Sequence, residues 1–136
     1  MSALRITSIA LGILGALVAC STDPVNITQT GTITDSDPTH QADGSHYDEY
    51  RFTAKEGWEI EVTMESTEVD AYLQLRRDGV ADETWLEEAD DISMTDRNAK
   101  ISITAPASGE YMVWANTAGS DERGAYSVHI RAEPPK

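Results

Sequence analysis

Aspartates grouped in two polar segments are the side chains of this sequence best suited to bind a metal ion. The first segment contains Asp35, Asp37, Asp43 and Asp48, and the second contains Asp90 and Asp91. A hard cation such as Ca²⁺ takes roughly six to eight oxygen ligands, which carboxylates, carbonyls and water supply. We therefore predict a calcium site in either loop. The alternative is that these aspartates cap their own backbone in solvated turns.

A second set of candidates consists of apolar and aromatic side chains on the outer side of predicted strands. Tyr72, Met112 and Trp114 alternate with the positions that should face the core. Side chains of opposite parity point to opposite faces of a strand. A contiguous exposed apolar patch marks a partner surface, so we predict that these three residues contribute to one. The alternative is that another segment covers them.

The residue types that enzymes use as nucleophiles and bases form no recognisable set. The histidines are His40, His46 and His129, and no two of them have the i, i+4 spacing of a zinc-binding pair. Ser108 lies in the run Ala-Ser-Gly-Glu, which lacks the Gly-x-Ser-x-Gly pattern of a nucleophile elbow. We therefore predict that the chain is not an enzyme and has no catalytic residues.

The first twenty residues have the layout of an export signal. Arg5 precedes an apolar stretch over 6–18, and the run ends in Leu17-Val18-Ala19-Cys20. The stretch is shorter than the about 20 residues that a membrane-spanning helix needs. Its ending resembles the lipobox of bacterial lipoproteins. The resemblance implies that residues 1–19 are removed as a signal peptide and that Cys20 is acylated, for example with palmitate.

The resemblance to lipoproteins also carries an expectation about location. Ser21, not an aspartate, follows the cysteine, and in enteric-type sorting this favours the outer membrane. We expect residues 20–30 to be the lipidated cysteine and a flexible polar tether. Residues 133–136 contain two prolines, which cannot continue a strand ladder, and are predicted to be a disordered tail.

The charge of the chain limits its partners. Its 24 acidic and 10 basic residues give a formal net charge of −14. Nucleic-acid binding needs a basic surface that releases counterions from phosphates, so we expect no nucleic-acid partner. The chain has only one cysteine, so no internal disulfide can form.

Alternation of apolar and polar residues predicts an all-β domain. The clearest case is Trp58, Ile60, Val62 and Met64, which alternate with Glu59, Glu61 and Thr63. Turn signals separate similar runs at short spacing, and no helical period is seen beyond the leader. The pattern predicts an antiparallel β-sandwich of about eight strands. The predicted strands are 27–33, 47–52, 58–65, 71–76, 99–104, 111–116 and 126–131, with a short one near 84–88.

Five motifs, in order along the chain, resemble those of the bacterial pre-peptidase C-terminal domain. They lie at 48–57, 70–75, 90–91, 107–113 and 124–128. The resemblance implies a jelly-roll-like β-sandwich over residues 31–132. Some members of that family bind calcium, and some bind collagen-like or polysaccharide targets. We expect a lipid anchor where members of that family carry a peptidase, so a role in guiding a linked enzyme does not transfer.

The sequence therefore predicts a non-catalytic, membrane-anchored lipoprotein. Its sandwich domain would bind an envelope or extracellular protein or polysaccharide, with calcium as a supporting ion. One alternative is a structural envelope lipoprotein that acts as a subunit or spacer of a larger complex. Another is a small hydrolase of an envelope polymer, which the missing catalytic set disfavours.

Overall fold

The computed structural model describes residues 23–79 and 85–136. Eight strands and no helix lie in these ranges, and no helix there is long and apolar enough to span a bilayer. The signal peptide, Cys20 and Ser21 lie outside the described residues, so their predictions stay predictions. The strands are β1 (Val25–Ile33), β2 (Asp48–Ala54), β3 (Glu59–Glu65), β4 (Ala71–Arg77), β5 (Glu87–Ala89), β6 (Ala99–Thr104), β7 (Gly109–Thr117) and β8 (Gly124–Glu133).

The strands form two four-stranded antiparallel sheets. Sheet I has the order β1-β8-β3-β6, and sheet II has the order β2-β7-β4-β5. Within sheet I, β1 pairs with β8 and β3 with β6, and within sheet II, β2 pairs with β7 and β4 with β5. The first half of the chain thus pairs in reverse order with the second half, as in a jelly roll. The predicted all-β, jelly-roll-like sandwich is confirmed.

The core lies between the inner faces of the sheets. In β3, Ile60, Val62 and Met64 are at most 1% exposed, whereas the residues between them are partly accessible. Trp58, just before β3, is also buried, as its place in the alternation predicts. From sheet II, Leu73, Leu75 and Val113 are fully buried. Burial of such side chains stabilises a domain by about 2 kcal/mol each.

The chain enters sheet I earlier than the polar composition of its start suggests. β1 begins at Val25, so residues 25–30, expected to belong to a tether, are part of a nine-residue strand. Val25 and Ile27 are half-buried and pack against the core, and full pairing with β8 satisfies their backbone. At the other end, β8 continues through Glu133, which was expected to begin the disordered tail.

A buried chain of hydrogen bonds joins the two sheets. The hydroxyl of Tyr126 in sheet I donates to Oδ2 of Asp48 in sheet II at 2.5 Å, and both residues are buried. The hydroxyl of Tyr50 lies 2.5 Å from that of Tyr126. Each hydroxyl has one proton, so Tyr50 donates to Tyr126. Burial, with the neighbouring Tyr50 and Asp48, raises the pKa of Tyr126, which keeps its proton in place.

Gly31 makes room for this network. A Cβ at Gly31 would collide with the hydroxyl of Tyr126, although the backbone of Gly31 is ordinary strand. Because β1 passes so close to the ring of Tyr126 at this position, the strand requires a residue without a side chain there.

Tyr126→Phe should destabilise the domain by about 2 kcal/mol, because a buried carboxylate loses the hydrogen bond that Tyr126 donates. Urea denaturation measures the loss. The control is Tyr72→Phe, which removes a hydroxyl at a half-buried surface position and should cost under about 1 kcal/mol. Equal losses in the two variants would contradict a sheet-joining role for the Tyr126 hydroxyl.

Candidate functional site

The outer face of sheet II carries large aromatic, charged and amide side chains. Strand alternation places Trp114 of β7 on this face, directly between Glu49 of β2 and Gln74 of β4. The neighbouring row contains Met112 between Arg51 and Arg76. Because β7 is a central strand, its outward side chains lie in the middle of the face.

Four rings meet around Trp114, and we call them the aromatic cluster: His40, Tyr47, Trp85 and Trp114. Tyr47 stacks on Trp114 with ring centroids 3.6 Å apart and an interplanar angle of 13°. Trp85 and His40 meet Trp114 edge-on, at 4.8 Å and 5.6 Å. The indole N–H of Trp114 donates to Oε1 of Glu49 at 3.1 Å. The four rings remain partly accessible.

The predicted partner residues differ in their exposure. Trp114 and Tyr72 face outward and are partly accessible, as predicted. Met112 also faces away from the core, but it is only 3% exposed, so it offers no contact surface in this structure. Its same-face neighbours are Arg51 and Arg76, and the long aliphatic stems of arginines cover apolar surface.

Beside the aromatic cluster lies a pocket of about 350 Å³ that we call the acidic pocket. His40 belongs to both features. The polar and charged residues that line the pocket are His40, Asp43, Tyr72, Gln74, Glu88, Asp90, Asn116 and Thr117.

Hydrogen bonds fix the floor of the acidic pocket. Gln74 and Asn116 are 2% and 1% exposed, and the Asn116 amide donates to Oε1 of Gln74 at 3.2 Å. Oε1 of Glu88 accepts from the Tyr72 hydroxyl at 2.7 Å and from Nε2 of Gln74 at 3.3 Å. Partial burial, with Glu88, raises the pKa of Tyr72 to about 12, so the Tyr72 hydroxyl stays protonated.

The four aspartates of the first predicted calcium loop make separate contacts. Asp35 pairs with Nε of Arg123 at 2.6 Å, and hydrogen bonding to Arg123 lowers its pKa. Asp37 accepts from the backbone N–H of Thr34 at 2.9 Å. Asp43 accepts from the Ser45 hydroxyl and backbone, which lowers the pKa of Asp43. Asp48 accepts the hydrogen bond of the Tyr126 hydroxyl. In the described part of the chain, these four carboxylates do not converge into one cluster.

The second acidic segment forms a cluster with a residue that sequence reasoning did not select. Carboxylate oxygens of Asp70, Asp90 and Asp91 lie within 4.8 Å of one another. Oδ2 of Asp70 is 2.9 Å from Nη2 of Arg97, whereas its Oδ1 is buried with no hydrogen-bond partner. Loss of hydration, with Asp70 and Asp90 nearby, raises the pKa of Asp91 to about 6.

The pairing of β4 with β5 explains this cluster. Leu73 pairs with Ala89, so the residues just before β4 lie beside those just after β5. Asp70 was part of a recognised motif, but only the register of the short strand β5 shows that it meets Asp90 and Asp91.

A wider groove of about 800 Å³ lies at the end of sheet I, near Tyr126. Its Ser66 hydroxyl donates to the carbonyl of Ala125 at 2.7 Å and accepts from the backbone N–H groups of Glu68 and Val69. Glu68 in turn accepts from the N–H of Ala125. The polar groups of this groove thus hold loops together.

Asp91 should make stability depend on pH. Its folded-state pKa, about 6, lies above the ordinary 3.8, so its stabilising proton is fully bound below about pH 4 and lost as pH rises past about 6. In metal-free buffer, Asp91→Asn should raise the melting temperature over wild type more at pH 7 than at pH 4. The control, Asp121→Asn, changes an exposed aspartate. A pH-independent effect of Asp91→Asn, or one equal to the control, would contradict the assignment.

Solved structures with the same architecture exist, although no protein-family model and no curated protein matches the chain. The chain resembles the pre-peptidase C-terminal domain of a collagenase from Bacillus anthracis, with a TM-score of 0.60 and 14% identity, covering 78% of this chain and 89% of that domain.

Two periplasmic inhibitors of g-type lysozyme, both named PliG, are also similar. For the Aeromonas hydrophila protein the TM-score is 0.56 at 14% identity, covering 83% of this chain and 89% of the inhibitor. For the Salmonella Typhimurium protein it is 0.52 at 22% identity, covering 79% and 91%. At these identities the likeness is one of fold. The chain therefore has the β-sandwich fold of a pre-peptidase C-terminal domain.

Proposed function

We propose that this chain is an exported, lipid-anchored binding module that recognises a protein through the outer face of sheet II. The observation that carries the proposal is the aromatic cluster around Trp114. Trp114 lies on the central strand β7, where Tyr47 stacks on it and Glu49 accepts its N–H, and the four rings remain partly accessible. Tryptophan and tyrosine in such positions supply much of the binding energy of protein interfaces.

The fold is compatible with this role. PliG proteins are named as periplasmic inhibitors of g-type lysozyme, so a sandwich of this kind serves elsewhere as a module that acts on another protein. The described residues of the present chain use their buried polar groups to join strands and loops, as Tyr126 and Asp48 do. Both points support a binding module over an enzyme.

Trp114→Ala should weaken binding of the partner at least about tenfold, since a central aromatic anchor is worth about 2 kcal/mol or more. The full chain would be cross-linked in the membranes of its native cells and its partners quantified by mass spectrometry. The control is Met94→Ala, which removes an exposed apolar side chain (98% accessible) outside the cluster.

Three outcomes of that experiment differ in meaning. Loss of the same proteins from Trp114→Ala but not from Met94→Ala supports the proposed surface. An unchanged set of partners in Trp114→Ala overturns it. A single partner held in fixed stoichiometry would favour the subunit of a larger complex.

Anchoring through Cys20 is the second part of the proposal. It is supported by the run Leu-Val-Ala-Cys after an apolar stretch, and the periplasmic PliG neighbours agree with export. More than one acyl chain gives stable attachment to a bilayer. Cys20→Ser should move the chain from the membrane to the soluble fraction and remove the added lipid mass. An unchanged mass and distribution would contradict acylation.

The third part is a supporting calcium ion at Asp70, Asp90 and Asp91. The donor set fits a hard cation, because three carboxylates converge and the buried Oδ1 of Asp70 has no hydrogen-bond partner. Loss of hydration, with Asp70 and Asp90 nearby, raises the pKa of Asp91, and a bound cation would relieve the repulsion among the three carboxylates. Backbone carbonyls and water would complete the coordination.

Millimolar calcium should raise the melting temperature of the chain. A ligand that binds only the folded state adds about 2.7 kcal/mol when present at a hundred times its Kd. The shift should disappear in Asp91→Asn and persist in Asp43→Asn, which alters a turn aspartate that accepts hydrogen bonds from Ser45. Absence of any shift in the wild-type chain, or its loss in Asp43→Asn, would contradict this site.

A further inference from the structure

The acidic pocket is rigid before any partner arrives. Its floor consists of Gln74 and Asn116, which are almost fully buried and bonded to each other. Gln74 also bonds Glu88, and Tyr72 bonds the same carboxylate oxygen. A side chain that enters this pocket meets groups already fixed in place, so little conformational entropy is lost on binding.

The rim of the acidic pocket is negatively charged. It holds the carboxylates of Asp43, Glu88 and Asp90. Among the residues that the structure describes, no lysine or arginine forms an ion pair with any of the three.

The adjoining aromatic cluster favours the same kind of ligand. Aromatic faces attract cations such as the guanidinium of arginine, and the face of tryptophan attracts them best. The molecule itself shows this contact, since the guanidinium of Arg76 lies 5.5 Å from the ring centroid of Trp85. His40 connects the two features, because its ring lies 5.6 Å from that of Trp114 and its Nε2 lies 3.2 Å from Nε2 of Gln74.

We infer that the partner presents a basic segment, and this inference rests on the proposed protein-binding role. An arginine or lysine side chain of that segment enters the acidic pocket beside Glu88, and neighbouring residues of the segment lie on the aromatic cluster. Charge complementarity supports this occupant, since the chain carries a formal net charge of −14. Opposite charges across an interface speed association and select partners.

The test follows the indole N–H signals of the ¹⁵N-labelled chain by NMR. The probe is a synthetic peptide of alternating glycine and arginine, compared with the same peptide containing citrulline, which has arginine's shape without its charge. Trp58 is buried in the core and serves as an internal reference. We expect the arginine peptide to shift the signals of Trp114 and Trp85, and the citrulline peptide to bind at least about tenfold more weakly.

Two matched variants test the role of the carboxylate. Glu88→Gln keeps an oxygen that can accept from Tyr72 and Gln74, so the pocket should stay intact while affinity for the arginine peptide falls about tenfold. Glu87→Gln makes the same change of charge at the adjacent exposed residue of β5, on the other face of the strand, and should change affinity less than about twofold. Raising the salt concentration should weaken wild-type binding.

Several results would overturn the inference. These are equal binding of the arginine and citrulline peptides, equal effects of the two glutamate variants, or binding that does not weaken with salt. Shifts of Trp114 caused by a neutral oligosaccharide of N-acetylglucosamine, but not by the arginine peptide, would assign the surface to a glycan instead.

The inference can fail while the proposed function holds. In that case Trp114→Ala still loses its cross-linked partners and Glu88→Gln keeps them. If Trp114→Ala keeps them as well, the proposed function itself has failed.

Discussion

The burial of one carboxylate, Asp48, is the constraint on which this structure depends. A charged group inside a sandwich is tolerated only when hydrogen bonds replace its water, and Tyr126 from the opposite sheet supplies such a bond. Asp48 is also the first residue of β2, directly after the loop that carries His40, Asp43 and Tyr47. The bond that joins the sheets therefore also fixes one end of the loop that forms much of the binding face.

Sequence reasoning was most successful where each residue has one solvent face and one core face. The alternation through Ile60, Val62 and Met64 predicts a half-buried strand whatever its neighbours are, because strand geometry alone decides which side chains share a face. The fold class and seven of the strands followed from this local rule. The start of β1 was predicted two residues late, at Ile27, because Val25 lies in a segment whose polar composition resembles a linker.

The binding face depends on contacts that no local pattern reveals. Trp114 was predicted to face outward, but its neighbours His40 and Trp85 come from distant loops. Met112 has the same outward parity as Trp114 and is nevertheless buried, since parity gives the face of a side chain and not what covers it. Asp70 joins Asp90 and Asp91 through strand register, which depends on three residues of β5.

The direction of β1 determines how the molecule would stand on a membrane. The strand starts at Val25, opposite Ala132 of β8, and ends at Ile33, beside the turn that leads to the loop with His40 and Asp43. If Cys20 holds a lipid, the few residues up to Val25 reach at most about 17 Å, whereas nine strand residues span about 30 Å. The anchored end of the sandwich would then face the lipid headgroups, and the acidic pocket would lie at the far end, raised above the bilayer and open to large partners that cannot approach the membrane surface.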